Sequence, residues 1–148
     1  MYLKIITPEN KVFDGAVTKA TIPTEWGSIT ILPNHTPIVS VIKPWILHIW
    51  TNDIPSNNEF QYILDKNCIK LSTSKGLLFV DGTTITVLVS EATITPTKSY
   101  NELEELKLTI EANLKNLRSQ WENIEKIDER LITLKKIEAD IELAKLQK

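Results

Sequence analysis

Residues 23–37 read PTEWGSITILPNHTP, and this stretch decides which fold the chain can adopt. Residues 28–31 alternate polar and apolar side chains, which is typical of a strand with one buried face. The segment LPNHTP then interrupts the strand, and a second apolar segment begins at Ile38. Each proline fixes its own φ and disfavours helical geometry for the residue before it. The pattern therefore predicts two strands joined by a stiff loop that presents Asn34 and His35.

A stiff loop with a polar tip on a β-layer suits binding to another protein better than catalysis, because rigid scaffolds commonly present their binding residues on loops. Two alternatives stay open. The prolines and His35 could serve only to hold the loop in one shape, or His35 could act as a general base, with Glu25 as the nearest acid. The residues of the predicted partner-docking loop are Ser28, Pro33, Asn34, His35 and Pro37.

Short apolar segments separated by turn residues continue from the first residue to about residue 94. The dipeptides Asp14-Gly15 and Asp81-Gly82 have the composition of hairpin turns, and residues 52–58 read as a loop before a strand at residues 60–64. About nine strands result, with a turn signal roughly every ten residues. This spacing predicts an all-β, antiparallel sandwich or flattened barrel over residues 1–94.

The pattern changes to helical spacing in residues 97–148. All seven prolines and all four glycines lie at or before Pro96, and an apolar residue, leucine or isoleucine except at Trp121, then recurs every three or four residues from Leu103 to Ile141. Ser99 and Glu102 form a capping signature at the start of this segment. Asn123 and Asp128 are the candidate caps of a second helix. The segment predicts an antiparallel two-helix hairpin that could also extend as one long helix, since residues 119–129 contain no glycine or proline.

Basic side chains cluster near the middle of this helical tail and alternate with acidic ones. One interpretation is a solvated helix face crossed by weak ion pairs. The other is a patch that binds an acidic surface on a partner. The candidate tail-interaction residues are Arg118, Arg130, Lys135 and Lys136.

Composition excludes several classes of function. The formal net charge is −2, whereas nucleic-acid binding requires a basic surface. No apolar run reaches the length of a membrane span, and the first residues resemble neither a signal nor a transit peptide. The sequence contains no phosphate-binding glycine loop, metalloprotease motif or nucleophile elbow. We therefore expect no catalytic residue, no cofactor and no metal site, and we interpret His48, which lies on an apolar strand, as structural.

The order of a β-domain and a two-helix tail resembles the epsilon subunit family of the F-type ATP synthase, whose mitochondrial members are called delta. The LPNHTP segment after a glycine-containing strand is the most specific mark. Thr30 stands where the family usually has a second glycine, and Trp45 follows Pro44 where a glycine is usual. The residues that carry the resemblance are Ile5-Ile6-Thr7-Pro8, Val12-Phe13, Val17, Ile22-Pro23, residues 27–37, Ile42-Lys43-Pro44, residues 76–89 and Ile110-Glu111-Ala112-Asn113-Leu114.

The resemblance implies a non-catalytic rotor subunit of the central stalk. In this family the β-domain holds the gamma subunit and rests on the c-ring, and the helical tail either folds on the β-domain or extends toward the alpha/beta head and blocks ATP hydrolysis. Some members bind ATP at a signature containing arginine, but residues 99–106 contain no arginine. The implied location is peripheral to an energy-transducing membrane, on the cytoplasmic face in bacteria or the stromal face of the thylakoid.

A free-standing adaptor is the alternative from another class of function. Its β-sandwich would bind one protein and its helical hairpin a second. An enzyme of unknown type is disfavoured by the missing motifs. Isolation of the chain together with gamma and the c-ring would distinguish the rotor-subunit hypothesis from the adaptor hypothesis.

Overall fold

The computed structural model describes residues 1–52, 63–65, 67–120 and 124–146, in which an all-β part precedes a pair of helices. This architecture is the one that the sequence predicts. The helices are α1 (Tyr100–Gln120) and α2 (Ile124–Lys145). The strands are β1 (Tyr2–Ile6), β2 (Lys11–Ala16), β3 (Lys19–Thr24), β4 (Gly27–Ile31), β5 (Ile38–Ile42), β6 (Trp45–Trp50), β7 (Ile63–Asp65), β8 (Cys68–Thr73), β9 (Gly76–Val80), β10 (Thr84–Val89) and β11 (Ala92–Thr93).

The strands form one sheet that folds over a single apolar core. Its order is β11-β8-β6-β3-β5-β9-β10-β1-β2, with β4 paired to β3 and β7 paired to β8. Side chains from both halves of this order share one cluster, because alternate residues of each strand point to the same side. The sheet therefore closes on itself as a flattened sandwich. Fully buried members of the cluster include Leu3, Ile5, Ile22, Leu47, Ile49, Ile69, Leu71 and Leu78.

One pair of strands departs from the antiparallel expectation. β1 runs parallel to β10, with Tyr2 opposite Thr84 and Ile6 opposite Leu88. A short hairpin cannot join parallel neighbours, so this contact brings together segments that are far apart in the sequence. The local turn signals used above carry no information about such a pairing.

Gly76 lies where two neighbouring strands approach it closely. It pairs with Ile42 on β5 and with Val89 on β10. A Cβ at Gly76 would lie 2.1 Å from the Leu88 carbonyl oxygen and 2.6 Å from Val89 Cγ1. Glycine is therefore required here by space, since the backbone oxygen cannot move without breaking the β9–β10 ladder.

The two Asp-Gly dipeptides have different structures. Gly82 has a φ of 101°, and Asp81 Oδ1 accepts hydrogen bonds from the backbone amides of Thr83 (2.9 Å) and Thr84 (2.7 Å), so this dipeptide forms the predicted turn. The Thr84 and Thr83 amides hold the pKa of Asp81 below its usual value. Asp14-Gly15 is not a turn, and that prediction was wrong.

Asp14 and Gly15 lie inside β2, because β1 pairs with this segment. Asp14 is opposite Lys4 and Gly15 is opposite Leu3. The Asp14 carboxylate binds the Lys11 ammonium at 2.5 Å instead of capping backbone amides. A strand partner has therefore overridden the local turn preference.

The tail folds as a hairpin whose first helix begins at the predicted cap. The Glu102 carboxylate accepts hydrogen bonds from the Ser99 amide (2.7 Å) and hydroxyl (2.9 Å), and these bonds lower the pKa of Glu102. Asp128 lies within α2 and therefore does not cap the start of that helix. Three predicted features lie outside the described residues: the cap at Asn123, residues 53–58 of the loop and residues 60–62 of the next strand. A small cluster joins the helices: Ile110, Leu114 and Leu134, with Ile127, Leu131 and Ile137 at its margin.

The second helix has two buried stripes, of which the sequence analysis found one. Leu134, Ile137 and Ile141 follow each other at helical spacing on the side that includes the interhelical cluster. Lys136, Ala139 and Leu143 form the second stripe, and α2 lies against β6 and β8. Neither described helix has an apolar stretch long enough to cross a membrane.

We predict that the chain cut after Pro96 folds by itself. Its core cluster runs from Leu3 to Ile94 and takes no side chain from the parts of the helices that the structure describes. Loss of α2 should lower the unfolding midpoint while the transition stays cooperative. Urea titrations followed by tryptophan fluorescence and by circular dichroism should give coincident curves. Non-coincident or gradual curves, with a cooperative full-length chain, would contradict an independent β-domain over residues 1–94.

Candidate partner-docking surface

The loop between β4 and β5 starts with a tight turn. Leu32 accepts a hydrogen bond at its carbonyl from the His35 amide at 3.1 Å, with Pro33 and Asn34 between them. Asn34 has a φ of 64°. Proline followed by a residue of positive φ is the composition of a type II turn, and asparagine tolerates this conformation better than most residues. Local chemistry therefore sets the shape of this loop.

His35 is held against its own loop. Its Nδ1 donates a hydrogen bond to the Thr36 carbonyl at 2.7 Å, and since a carbonyl only accepts, the proton lies on Nδ1. The His35 carbonyl also faces the β9–β10 turn, because a Cβ at Gly82 would lie 3.6 Å from it. The loop and that turn consequently form one edge of the β-domain.

An apolar face continues from this edge across three strands. Val39 on β5 lies opposite Phe79 on β9, and Leu77 lies opposite Leu88 on β10. Their exposed fractions are 66% for Val39, 42% for Leu77, 38% for Phe79 and 38% for Leu88. We call these four residues the β5–β9–β10 face. Exposed apolar side chains that adjoin one another usually mark an interaction site.

The β5–β9–β10 face was not predicted, although the sequence contains a signal for it. Residues 77–80 read LLFV, an unbroken apolar segment with no polar residue to mark a side that faces solvent. Only Leu78 and Val80 enter the core, and their neighbours point outward. An unbroken apolar strand in a domain too small for a third layer indicates either a central strand or a binding face.

Ser28 lies apart from the other predicted docking residues. Pro33, Asn34, His35 and Pro37 are together in the loop, but Ser28 is at the far end of β4, roughly 16 Å away at about 3.3 Å per residue. That end also carries Trp26, which is 94% exposed.

Glu25 stands at the same far end and pairs with Lys75 at 3.7 Å. This position separates it from His35 by the length of β4. The structure therefore does not assemble the His35–Glu25 pair that a general base would need.

The four basic tail residues divide into two groups. Arg118, Arg130 and Lys135 are exposed, and Lys135 pairs with Glu138 at 2.7 Å. Lys136 is only 5% exposed and contacts the β-domain. In this folded conformation its ammonium is not on the tail surface where a partner could meet it.

A groove with a volume of about 870 Å³ lies between the helices and one end of the sheet. Its lining includes Glu91, Thr97, Lys98, Leu106 and Ile137, and none of the described residues that line it is an arginine. Among the residues that the structure describes, no group of three or more histidine, cysteine, aspartate or glutamate side chains could hold a metal ion.

His48 is half buried on β6, beside Lys70 on β8 and Thr21 on β3. Burial lowers the pKa of the imidazole, and the positive charges of Lys70 and Lys19 lower it further. Trp50 lies near it, with ring centroids 5.9 Å apart, and the Lys19 ammonium lies 3.8 Å from the Trp50 ring centroid. These contacts are consistent with the structural role predicted for this histidine.

Comparison with known families agrees with this arrangement of strands and loop. The family model described as ATP synthase, delta/epsilon chain, beta-sandwich domain matches residues 1–95. The chain belongs to the ATP synthase delta/epsilon chain family. The matched residues include the β4–β5 loop and all four residues of the β5–β9–β10 face.

Curated relatives carry the same family name. The ATP synthase epsilon chain of Nitratiruptor sp. is 28% identical over 114 residues, which cover 77% of this chain and 82% of the relative. The chloroplastic epsilon chain of Solanum lycopersicum is 30% identical over 127 residues, which cover 83% of each chain. The family therefore includes bacterial and chloroplast members with similar sequence identity to this chain.

A solved structure shares the fold of the whole chain. A chain of the Euglena gracilis mitochondrial ATP synthase, from a complex described as OSCP/F1/c-ring, aligns with a TM-score of 0.68 over 96% of this chain and 79% of its own length. Its sequence identity is 18%. The likeness therefore extends to the helical pair, which lies beyond the residues that the family model matches.

We predict that His48 makes the fold sensitive to mild acid. Because the pKa of folded His48 lies below its ordinary value of 6.5, the unfolded chain binds a proton first as the pH falls. The free energy of unfolding should decrease as the pH falls through about 6.5, until the lower folded pKa is reached. His48→Gln should remove this part of the decrease. Urea midpoints measured between about pH 7.5 and about pH 5.5 test it.

Lys70→Gln provides a second variant for the same measurement. Removal of its positive charge should raise the pKa of His48 in part and reduce the acid sensitivity without abolishing it. If His48→Gln keeps the wild-type pH dependence over this range, the sensitivity belongs to other groups and the assignment is wrong.

Proposed function

We propose that this chain is a non-catalytic subunit of the central stalk of a proton-translocating F-type ATP synthase, where it links the gamma subunit to the c-ring. The family match over residues 1–95 carries the proposal. The solved structure of similar fold supports it, since its description names an OSCP/F1/c-ring complex. A rotor subunit needs rigid docking surfaces more than it needs a reactive group.

The docking surface of the proposed rotor subunit is the β4–β5 loop together with the β5–β9–β10 face. Val39 follows His35 by four residues on the same strand and loop, so a single partner surface could cover both. The face supplies apolar area, and the loop supplies polar groups in a fixed shape, which matches the apolar centre and polar rim of protein interfaces. Gamma and the c-ring are the partners that this surface would hold.

The helical tail is the proposed regulatory part. Among the described residues its interhelical core contains three buried side chains, so the apolar area that holds this part of the hairpin is small. An extended tail could bury the same stripe on gamma and reach the alpha/beta head, where Arg118, Arg130 and Lys135 would meet acidic surface. A balance of a few kcal/mol between the two states allows a switch. In the extended state the tail would restrain ATP hydrolysis.

The proposed location is peripheral to the energy-transducing membrane. Attachment would come through the complex, on the cytoplasmic face of a bacterial inner membrane or the stromal face of the thylakoid. Bacterial and chloroplast relatives are compatible with either. The adaptor alternative differs in one observable respect, because an adaptor would not be isolated together with gamma and the c-ring.

We predict that Phe79→Asn and His35→Ala weaken binding to gamma and the c-ring. Both side chains are at the surface, so the free energy of unfolding should change by less than about 1 kcal/mol. Loss of a side chain from the centre of an interface costs more than about 1 kcal/mol of binding, which is at least about fivefold in affinity. Retention of the variants on an immobilised gamma/c-ring complex, beside their melting temperatures, measures both effects.

Leu108→Asn is the matched control for Phe79→Asn. Leu108 is 65% exposed on α1 and lies outside the proposed surface. It should be retained as the wild-type chain is. Normal retention of Phe79→Asn would remove the β5–β9–β10 face from the docking surface, and normal retention of His35→Ala would do the same for the loop.

We predict that removal of the tail accelerates ATP hydrolysis. Complexes assembled with the chain cut after Pro96 should hydrolyse ATP faster at low ATP concentration than complexes with the full chain, because the cut chain cannot extend toward the head. ATP-driven proton pumping serves as the control for assembly. Equal hydrolysis rates in two coupled complexes would show that this tail does not inhibit.

A further inference from the structure

Lys136 is a buried cation at the contact between α2 and the β-domain. Its side chain is 6% exposed, and its ammonium nitrogen lies 2.6 Å from Asp140 Oδ1, 2.9 Å from Ser72 Oγ and 2.8 Å from Thr93 Oγ1. An ammonium group has three hydrogens to donate, so these three acceptors satisfy it completely. The Ser72 hydroxyl also donates to Asp140. Four side chains thus form one closed network.

The two charges of this network lie on the same helix. Lys136 and Asp140 are four residues apart on α2, the spacing at which helical side chains meet. The β-domain contributes only two neutral hydroxyls, from Ser72 on β8 and Thr93 on β11. These residues are cross-strand partners in the β8–β11 pairing, so the sheet holds them side by side. Both charged groups of the network therefore belong to the helix, and the sheet contributes none.

We propose that Lys136, Asp140, Ser72 and Thr93 form a releasable polar latch that holds α2 on the β-domain. When α2 leaves, the ion pair leaves with it and its members remain paired on the helix in water. The exposed sheet keeps two hydroxyls, which water can satisfy. Release therefore leaves no unpaired charge on α2 or on the β-domain. An ion pair with one member on the helix and the other on the sheet would instead leave an unpaired charge on each.

The latch also fixes where α2 binds. Apolar contacts, such as those of Ala139 and Leu143, tolerate small shifts along a helix, whereas a buried ammonium needs its acceptors at hydrogen-bond distance. A displacement of one helical turn would take the Lys136 ammonium out of hydrogen-bond reach of Ser72 Oγ and Thr93 Oγ1, and a buried charge that loses its acceptors costs a large amount of free energy. One docked position is thus selected over its neighbours.

The role of the latch in regulation rests on the proposed function, in which the tail leaves the β-domain. The latch itself can be measured on the isolated full-length chain. A docked tail protects the backbone amides of α2 from hydrogen exchange beyond the protection given by the helix alone. Residues 76–89 on β9 and β10 are an internal reference for global stability.

Lys136→Met tests the latch, because it keeps most of the length of the side chain and leaves the Asp140 carboxylate without its cation. Exchange in residues 124–145 should become faster by about tenfold or more, and exchange in residues 76–89 should stay unchanged. Lys135→Met is the matched control, since this neighbour is exposed and pairs only with Glu138 among the contacts described. It should change exchange by less than about twofold.

The double variant Lys136→Met/Asp140→Leu should recover much of the lost protection, because it removes the orphaned charge. If Lys136→Met also accelerates exchange in residues 76–89, the variant Ser72→Ala/Thr93→Val provides the deciding test of the latch. This variant leaves both charges in place and removes only the hydroxyls. Faster exchange confined to α2 supports the latch. Equal effects of Lys135→Met and Lys136→Met, or unchanged α2 exchange in the hydroxyl variant, overturn it.

The hydrolysis assay separates this proposal from the proposed function. A latch confirmed by exchange, together with equal hydrolysis rates with and without the tail, would show a docked tail that does not inhibit. An inhibitory tail whose exchange is insensitive to these four residues would show that apolar packing alone controls docking.

Discussion

The parallel pairing of β1 with β10 is the constraint on which the rest of the β-domain depends. It attaches the β1–β2 hairpin to the sheet, and without it Leu3, Ile5 and Phe13 would have no core to enter. It also places β10 in the interior of the sheet, where β9 pairs along its other edge. The close approach of Gly76 to β10 and the turn at Asp81-Gly82 follow from that position. The edge of the β-domain beside His35, which we propose for docking, is built on the same turn.

The β9 strand links stability with the proposed function. Leu78 and Val80 belong to the core, while Leu77 and Phe79 lie on the opposite side, toward solvent. The outer side chains stay partly exposed, 42% for Leu77 and 38% for Phe79, and the proposed partner would cover that exposed apolar area. The contact between the tail and the sheet includes buried polar groups as well as apolar ones. There a charged network gives a defined position and permits release, because both charges belong to one helix.

Local chemistry explains which features could be predicted. The turn at Pro33-Asn34 and the capping box of Ser99 and Glu102 each depend on residues within four positions of one another, so the sequence contains the whole interaction. Long-range partners explain the failures. Asp14-Gly15 has the same composition as Asp81-Gly82, but pairing with β1 extends it into a strand. The shape of the loop at residues 32–37 was predictable for the first reason, and the β5–β9–β10 face was missed for the second.

The sequence by itself determined the change from strand to helical periodicity near Pro96, the stiff loop at residues 32–37 and the start of α1, since each follows from the spacing and conformational limits of neighbouring residues. Only the tertiary structure decided which polar side chains are buried. Lys135 and Lys136 are adjacent and chemically identical, yet one faces water and the other faces Ser72 and Thr93. The rotation of about 100° per residue along a helix separates them, and the side on which the sheet lies is set by packing that no local pattern records.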